Sequence, residues 1–359
     1  MDLEIQMEDK RNLLRADRLD MSFGEIISNY EEDNLIIQPS YQRSFRWNDY
    51  QKTRFIESVL LGIPIPPIFV AEDKDNGKWE LIDGLQRVST ILSFFGLLKE
   101  NGKIDDRLNK FKLLEGEILT ELKDKNIDSF PLKLQLTIKR FVCRVEILRW
   151  DTNSEIKYQL FSRLNTGGEA LKEQEIRNCI YRGDLNDLIN NLAENKDFKD
   201  VIGATERQEK EMYLSELVLR FMAFYYRHND LIFKTSGSIQ GFLSDFMRSN
   251  MEKNQDDFYQ VKQVFLNVIS YLNENKLSDL FRDNRARQFN ANHYDTIMYI
   301  LAKNLNRFQD SQEFRQIIQN LLKNKEYIDK SGSSTYATKR MQEKIKFAEE
   351  FIKNEFTRN

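Results

Sequence analysis

Cysteine is almost missing from this chain. Cys143 and Cys179 are the only two in 359 residues, which excludes a disulfide framework. Histidine is equally scarce, with His228 in "YYRHND" and His293 in "NANHYDT". Neither sits in an Asp-His pair, so a histidine-based nuclease centre is disfavoured, and without Cys/His clusters so is a structural zinc. No apolar run approaches the roughly 20 residues of a spanning helix. The opening "MDLEIQMEDKRNLLR" is charged throughout and lacks the apolar core of a signal peptide. These absences predict a soluble, cytoplasmic protein with no membrane partner. The net charge of -3 gives no chain-wide footprint for nucleic acid, although a local basic patch is compatible with it. A Walker A loop is absent too. "GLLKENGK" has five residues between Gly96 and Gly102 where that loop has four, and no Ser or Thr follows Lys103.

Proline is unevenly placed. All five prolines fall by position 131, and ten of the fourteen glycines precede position 184. Proline breaks helix interiors and glycine weakens them, so the second half is free to be helical. "YLSELVLRFMAFYYRH", "DFYQVKQVFLNVISYLNEN" and "TKRMQEKIKFAEEFIKNEF" carry apolar residues at three- and four-residue spacing, as amphipathic helices do. The length suggests two domains, expected over 1–183 and 184–359.

The first half is mixed. "NDYQKTRFIESVLLG" predicts a helix capped by Asn48 with Gly62 beyond its end. "IPIPPIFVAE" is extended, because each proline pushes its predecessor out of the helical region. A turn over Asp73–Gly77 leads into the strand "KWELI". "KRFVCRVEILRW", rich in β-branched and aromatic residues, is a further strand beyond a helical insert.

Three stretches carry candidate chemistry. In "IDGLQRVSTILSFF", Asp83 and Gln86 have the spacing of a capping box, and Leu85, Val88, Ile91, Leu92 and Phe95 make an apolar face. Arg87 is the exception. A helix start carries partial positive charge, so a cation there calls for an anion in front of it or for an internal partner such as Asp83. In "QPSYQRSFRWND", Tyr41, Phe45 and Trp47 alternate with Arg43 and Arg46. That arrangement suits a phosphate or a single strand, or else rings packed inward with arginines on carboxylates. In "TNSEIKYQLFSRLNTGGEALKEQEIRN", Thr152 and Glu155 form a capping box. Arg163 and Asn165 then fall at a helix C-terminus ahead of a double-glycine turn.

Together these stretches resemble the N-terminal domain of GmrSD-type modification-dependent restriction systems, a branch of the ParB/sulfiredoxin-like superfamily. The family pattern "P-x-YQR-x-x-x-W", "ES-(apolar)-G-x-P-x-P", "(I/V)DGQQR" and "F-x-R-(I/L)-N-T-G-G…QE-(I/L)-RN" is matched in order. It stands here as "PSYQRSFRW", "ESVLLGIPIPP", "IDGLQR" and "FSRLNTGGEALKEQEIRN", over residues 39–178. One letter departs: Leu85 replaces the first glutamine of "DGQQR".

The resemblance implies an α+β fold, with a ParB/sulfiredoxin-like N-terminal domain followed by a mainly helical C-terminal domain. It implies binding, and in several members hydrolysis, of nucleoside triphosphates. Asp83, Gln86 and Arg87 would then be catalytic, with Asp83 positioning Mg2+ or water. Tyr41, Gln42, Arg43, Gly84, Arg87, Arg163 and Asn165 would bind nucleotide and phosphate. The implied setting is prokaryotic anti-phage defence or DNA restriction, acting on DNA or with a separately encoded nuclease or effector. A non-enzymatic DNA-binding or adaptor protein that keeps the fold is the alternative.

Overall fold

The computed structural model describes residues 2–12, 16–37, 47–100, 102–149, 158, 163, 172–226, 238–282, 288–330 and 337–358. The chain divides into two compact units, Met1–Ala170 and Leu171–Asn359.

Unit 1 is built on a mixed sheet. Helix α1 (Leu3–Asn12) and strand β1 (Ala16–Ser22) lead into α2 (Phe23–Glu31) and the short β2 (Leu35–Ile36). Helix α3 (Asp49–Leu60) follows, then β3 (Ile68–Glu72), β4 (Trp79–Asp83) and α4 (Leu85–Phe94). A hairpin of β5 (Lys99–Glu100) and β6 (Lys103–Ile104), three 3-10 turns, and α5 (Leu132–Arg140) precede β7 (Val142–Leu148). The insert expected to be helical is therefore largely hairpin and 3-10 turn. Lys99, Glu100 and Lys103 of "GLLKENGK", already excluded as a phosphate loop, belong to the strands of that hairpin.

The sheet order is β1-β7-β3-β4-β2, with β3 parallel to β7 and antiparallel to β4. Helix α3 begins as its sequence predicts. Asn48 accepts from the Gln51 N–H while the Gln51 side chain accepts from the Asn48 N–H, and Gly62 beyond the end has φ +72°. Phe23, Ile56, Val59, Ile68, Val70, Leu81, Val88, Ile91, Leu92 and Val145 are buried together as the core of this unit. Phe23 joins two elements through its ring, stacked on Phe141 at 5.6 Å and edge-on to Phe55 at 6.2 Å.

Strand β1 lies at the sheet edge, with most of its residues exposed. Opposite charges tie it to β7. Arg18 sits across from Glu146, with Nε–Oε2 3.0 Å, and Asp20 across from Arg144, with Oδ1–Nε 3.3 Å.

Unit 2 is mainly helical among its described residues, with α6 (Glu173–Ile180), α7 (Asp184–Ala193), α8 (Lys196–Ile202), α9 (Glu206–Lys210), α10 (Tyr213–Tyr226), α11 (Ile239–Ser249), α12 (Tyr259–Glu274), α13 (Ala291–Asn304), α14 (Ser311–Lys323), α15 (Lys325–Lys330) and α16 (Ala337–Arg358), and a single bridge between Arg282 and Phe289. The three segments with helical apolar spacing form α10, α12 and α16. Helix α10 is central, buried almost continuously from Leu214 to Phe224.

That burial extends to charge. Arg220 on α10 forms a bidentate pair with Asp295 on α13, and Asp295 is 2 % exposed. Lys344 on α16, 1 % exposed, donates to the backbone oxygen and Oδ1 of Asn292 at 3.3 and 3.0 Å. Burial pushes the Lys344 amine down to about 8; the nearby Asp295 opposes that shift and Arg220 adds to it. His293 lies in the first turn of α13, whose cap is Asn290, in keeping with a polar helix start. His228 lies outside the described residues.

Candidate functional site: the turn from β4 into α4

Asp83 is the last residue of β4, and its position is set by an irregularity in the sheet. Phe69 pairs with Asp83 while Val70 pairs with Leu81, so Ile82 is an extra residue on β4. Such a bulge bends the strand and re-aims the side chain beyond it.

Gly84 then turns the chain with φ +96°, a left-handed conformation. That conformation favours glycine, and a Cβ there would also press on Ile68 Cγ1 at 3.1 Å.

The capping box expected from Asp83 and Gln86 does not form. Gly84 is the N-cap of α4, and no side chain caps it. The Asp83 Oδ2 accepts instead from Arg87 Nη2 at 2.8 Å, and Arg87 Nη1 donates to the Pro66 carbonyl at 2.5 Å. An ion pair one turn apart, with the guanidinium only 11 % exposed, outweighs an N-cap bond to a half-exposed carboxylate. Of the two partners open to Arg87, the structure supplies the internal one.

Gln86 also faces elsewhere. Its Oε1 accepts from the backbone N–H of Trp47 at 3.1 Å, and the Trp47 ring lies 5.5 Å from Phe55, edge-on. Gln86 thus fastens the chain to α4 at the residue where the "YQRSFRW" segment ends. Leu85 is only half-buried, whereas Val88, Ile91 and Leu92 form the buried face, joined by Ser89, Thr90 and Ser93.

Asp83, Gly84, Gln86 and Arg87 are therefore one constellation. Tyr41, Gln42, Arg43 and Asn165 lie outside the described residues, as does the Thr152/Glu155 capping box. Arg163 is helical and exposed. Among the described residues no group of three or more His, Cys, Asp or Glu side chains could hold a metal ion. A magnesium ion with an Asp83 ligand would draw its remaining ligands from phosphates and water, a mode usual for that ion.

Two motif residues with no role assigned from the sequence have clear work. Glu57, in "ESVLLG", is buried, and its Oε1 accepts from the N–H groups of Ile118 and Leu119 at 2.8 and 2.6 Å. A Cβ at Gly116 would lie 2.3 Å from that oxygen. Arg177, in "QEIRN", is fully buried in unit 2, bonded to Gln174 Oε1 at 2.8 Å, Gln240 Oε1 at 2.8 Å and Glu216 Oε2 at 3.0 Å. Asn178 beside it accepts from Asn186 and Asn190 at 2.8 and 2.7 Å. These motif letters hold the scaffold. The one sequence signal for them was their place in the family pattern.

Cys143 on β7 is 3 % exposed, and burial pushes its thiol up to about 11, with Arg87 pulling modestly the other way. A thiol held protonated is a poor nucleophile.

A mixed sheet ending in an Asp-Gly turn, with a helix start beyond it whose N-cap is a glycine, makes unit 1 an α+β domain. Residues 23–182 match the family model for the GmrSD restriction endonuclease, N-terminal domain. Neither curated proteins nor solved structures give a match to the chain. No helix among the described residues is long and apolar enough to cross a membrane.

Proposed function

We propose that the domain over residues 23–182 has a ParB/sulfiredoxin-like fold and binds a nucleoside triphosphate at the β4–α4 turn. Its place would be in a prokaryotic restriction or anti-phage defence system. The observation that carries this reading is the start of α4: Leu85, Gln86 and Arg87 open the helix with no side-chain cap, directly after a half-exposed carboxylate. The positive end of the helix dipole favours phosphate oxygens in front of such a start.

In this reading Arg87 has two tasks. It fixes the Asp83 carboxylate and adds positive charge behind the phosphates. Asp83 would orient a water or hold Mg2+, and that ion would supply positive charge to offset the phosphates. Gln86 anchors the chain at Trp47, and Tyr41, Gln42 and Arg43 would form the facing wall. Arg163 and Asn165 supply further nucleotide contacts. The domain acts on DNA or through a separately encoded nuclease or effector.

A non-enzymatic DNA-binding or adaptor role is the second reading. It is favoured by the guanidinium of Arg87, which is already engaged by Asp83 and Pro66, and by Leu85 in place of the family glutamine.

The test measures binding and phosphate release for a panel of nucleoside triphosphates with Mg2+. Wild type, Asp83→Asn and Arg87→Lys are compared, with thermal melts to verify folding. Binding that weakens in Arg87→Lys, with release lost in Asp83→Asn, supports the enzyme. No nucleotide binding by wild type overturns both steps. Nucleotide-independent DNA binding with a steep salt dependence selects the second reading.

A further inference from the structure

We propose that a tyrosine-lined cleft in unit 2 is a docking site for an arginine- or lysine-bearing peptide segment of a partner protein. The site is independent of nucleotide binding in unit 1. The cleft encloses about 460 Å3 and is lined chiefly by Tyr225, Tyr226, Asp256, Asp257, Tyr259 and Gln260. That volume falls within the range of about 300–1,000 Å3 typical of ligand sites.

Local structure explains why the rings face water. Tyr225 and Tyr226 end α10, Asp256 and Asp257 belong to the 3-10 turn Gln255–Phe258, and Tyr259 opens α12. Phe258 fills the core at 0 % exposure, while its neighbour Tyr259 is left 60 % exposed, and Tyr226 is 42 % exposed. Tyr226 packs on Phe246 and Phe258, whereas the Tyr259 ring makes no ring contact among the described residues.

The chemistry selects a cation. Tyrosine faces are electron-rich and attract ammonium and guanidinium groups. Two of these rings already do so within the chain. The Lys253 Nζ lies 4.7 Å from the Tyr226 centroid and donates to its hydroxyl at 2.8 Å, and the Lys303 Nζ lies 4.4 Å from the Tyr225 centroid. Tyr259 receives no such cation among the described residues. Asp257 uses Oδ2 to accept from the Asn254 N–H, whereas the exposed carboxylate of Asp256 has no partner among the described residues. A nucleic-acid strand could stack on the rings but would bring phosphates against Asp256 and Asp257. Lys253 and Lys303 are already engaged on Tyr226 and Tyr225, so the open Tyr259 face beside the Asp256 carboxylate is what favours a basic peptide over an oligonucleotide.

The experiment measures fluorescence polarisation of a labelled Gly-Arg-Gly-Arg-Gly-Arg peptide with the full chain. A Glu-for-Arg peptide and a labelled single-stranded oligodeoxynucleotide serve as the other probes. The arginine peptide binds and the other two do not. Asp256→Lys weakens binding at least tenfold and Tyr259→Ala at least fivefold. Asp75→Lys, on an exposed turn of unit 1, changes it less than twofold. Both cleft positions are exposed, so melting temperatures stay at the wild-type value. No binding of the arginine peptide, equal loss with Asp75→Lys, retention in both cleft variants, or cleft-dependent binding of the oligonucleotide each overturns the proposal.

Discussion

The side-chain oxygen of Gln86 accepts a hydrogen bond from the backbone N–H of Trp47 at 3.1 Å, joining the first turn of α4 to the residue just before the Asn48 cap of α3. Replacing Gln86 with leucine removes the acceptor and leaves a part-buried N–H unmatched. Gln86→Leu is expected to lower stability by about 1–2 kcal/mol, while Gln86→Glu, which keeps an acceptor oxygen, loses less. Urea denaturation of the three proteins side by side measures the difference. Equal losses in both variants would show that the oxygen is not what matters.

Gly84 and Gly62 both have positive φ, but only one is crowded. A Cβ at Gly62 meets nothing within 4 Å, so Gly62→Ala carries the left-handed penalty alone, about 1–2 kcal/mol. At Gly84 the same penalty adds to the contact with Ile68, and Gly84→Ala is expected to cost distinctly more. Melting temperatures of the two variants, with Gly84→Ala the lower, test this ordering.

In unit 2 the Arg220–Asp295 pair is buried and bidentate. Removing one partner strands a charge, so Arg220→Ala or Asp295→Ala is expected to cost about 3–5 kcal/mol. The double variant Arg220→Met/Asp295→Leu should cost less than the sum of the two single losses, since neither charge is left alone. Glu216 complicates the cycle slightly, because its carboxylate lies 3.8 Å from Arg220 as well as 3.0 Å from Arg177.

Lys344 makes a pH prediction with a definite sign. Its amine sits at about 8 in the folded chain against an ordinary 10.5. Between those values the unfolded chain holds the proton and the folded chain does not, so this group makes stability rise with pH across about 8 to 10.5. Below 8 both states are protonated and the full penalty, about 3 kcal/mol, applies. Cys143 acts oppositely between 9 and about 11, because its thiol stays protonated only in the folded state. The comparison is therefore wild type against Lys344→Met. The variant should lack the rise, measured by melting temperature from pH 7 to 10.5, and parallel curves would refute the assignment.

What could be read from the chain alone follows the range of each interaction. The α3 helix, the turn after β3 and strand β7 were legible because Asn48 with Gln51, Asp73–Gly77 and the β-branched run are local signals. The polar side chains at the β4–α4 turn were singled out from the same local evidence, but their partners were not. Gln86 bonds Trp47, 39 residues away, and Arg87 bonds the Pro66 carbonyl, 21 away. The extra residue at Ile82 depends on the pairing of β3 with β4, which no single strand discloses. Arg177 looked like a motif letter until Glu216 and Gln240 came to it from 39 and 63 residues along the chain.

The charge pairs between β1 and β7 have a consequence for how the chain finds its fold. In the native register Arg18 faces Glu146 and Asp20 faces Arg144. Sliding β1 two residues one way sets Arg18 opposite Arg144; sliding it two the other way sets Asp20 opposite Glu146. A two-residue slip keeps each side chain on its own face of the sheet, so apolar pattern alone does not forbid it. Like charges directly opposed do. The exposed edge strand thus works as a ratchet for its own alignment, admitting one position against β7 and rejecting its nearest neighbours on either side.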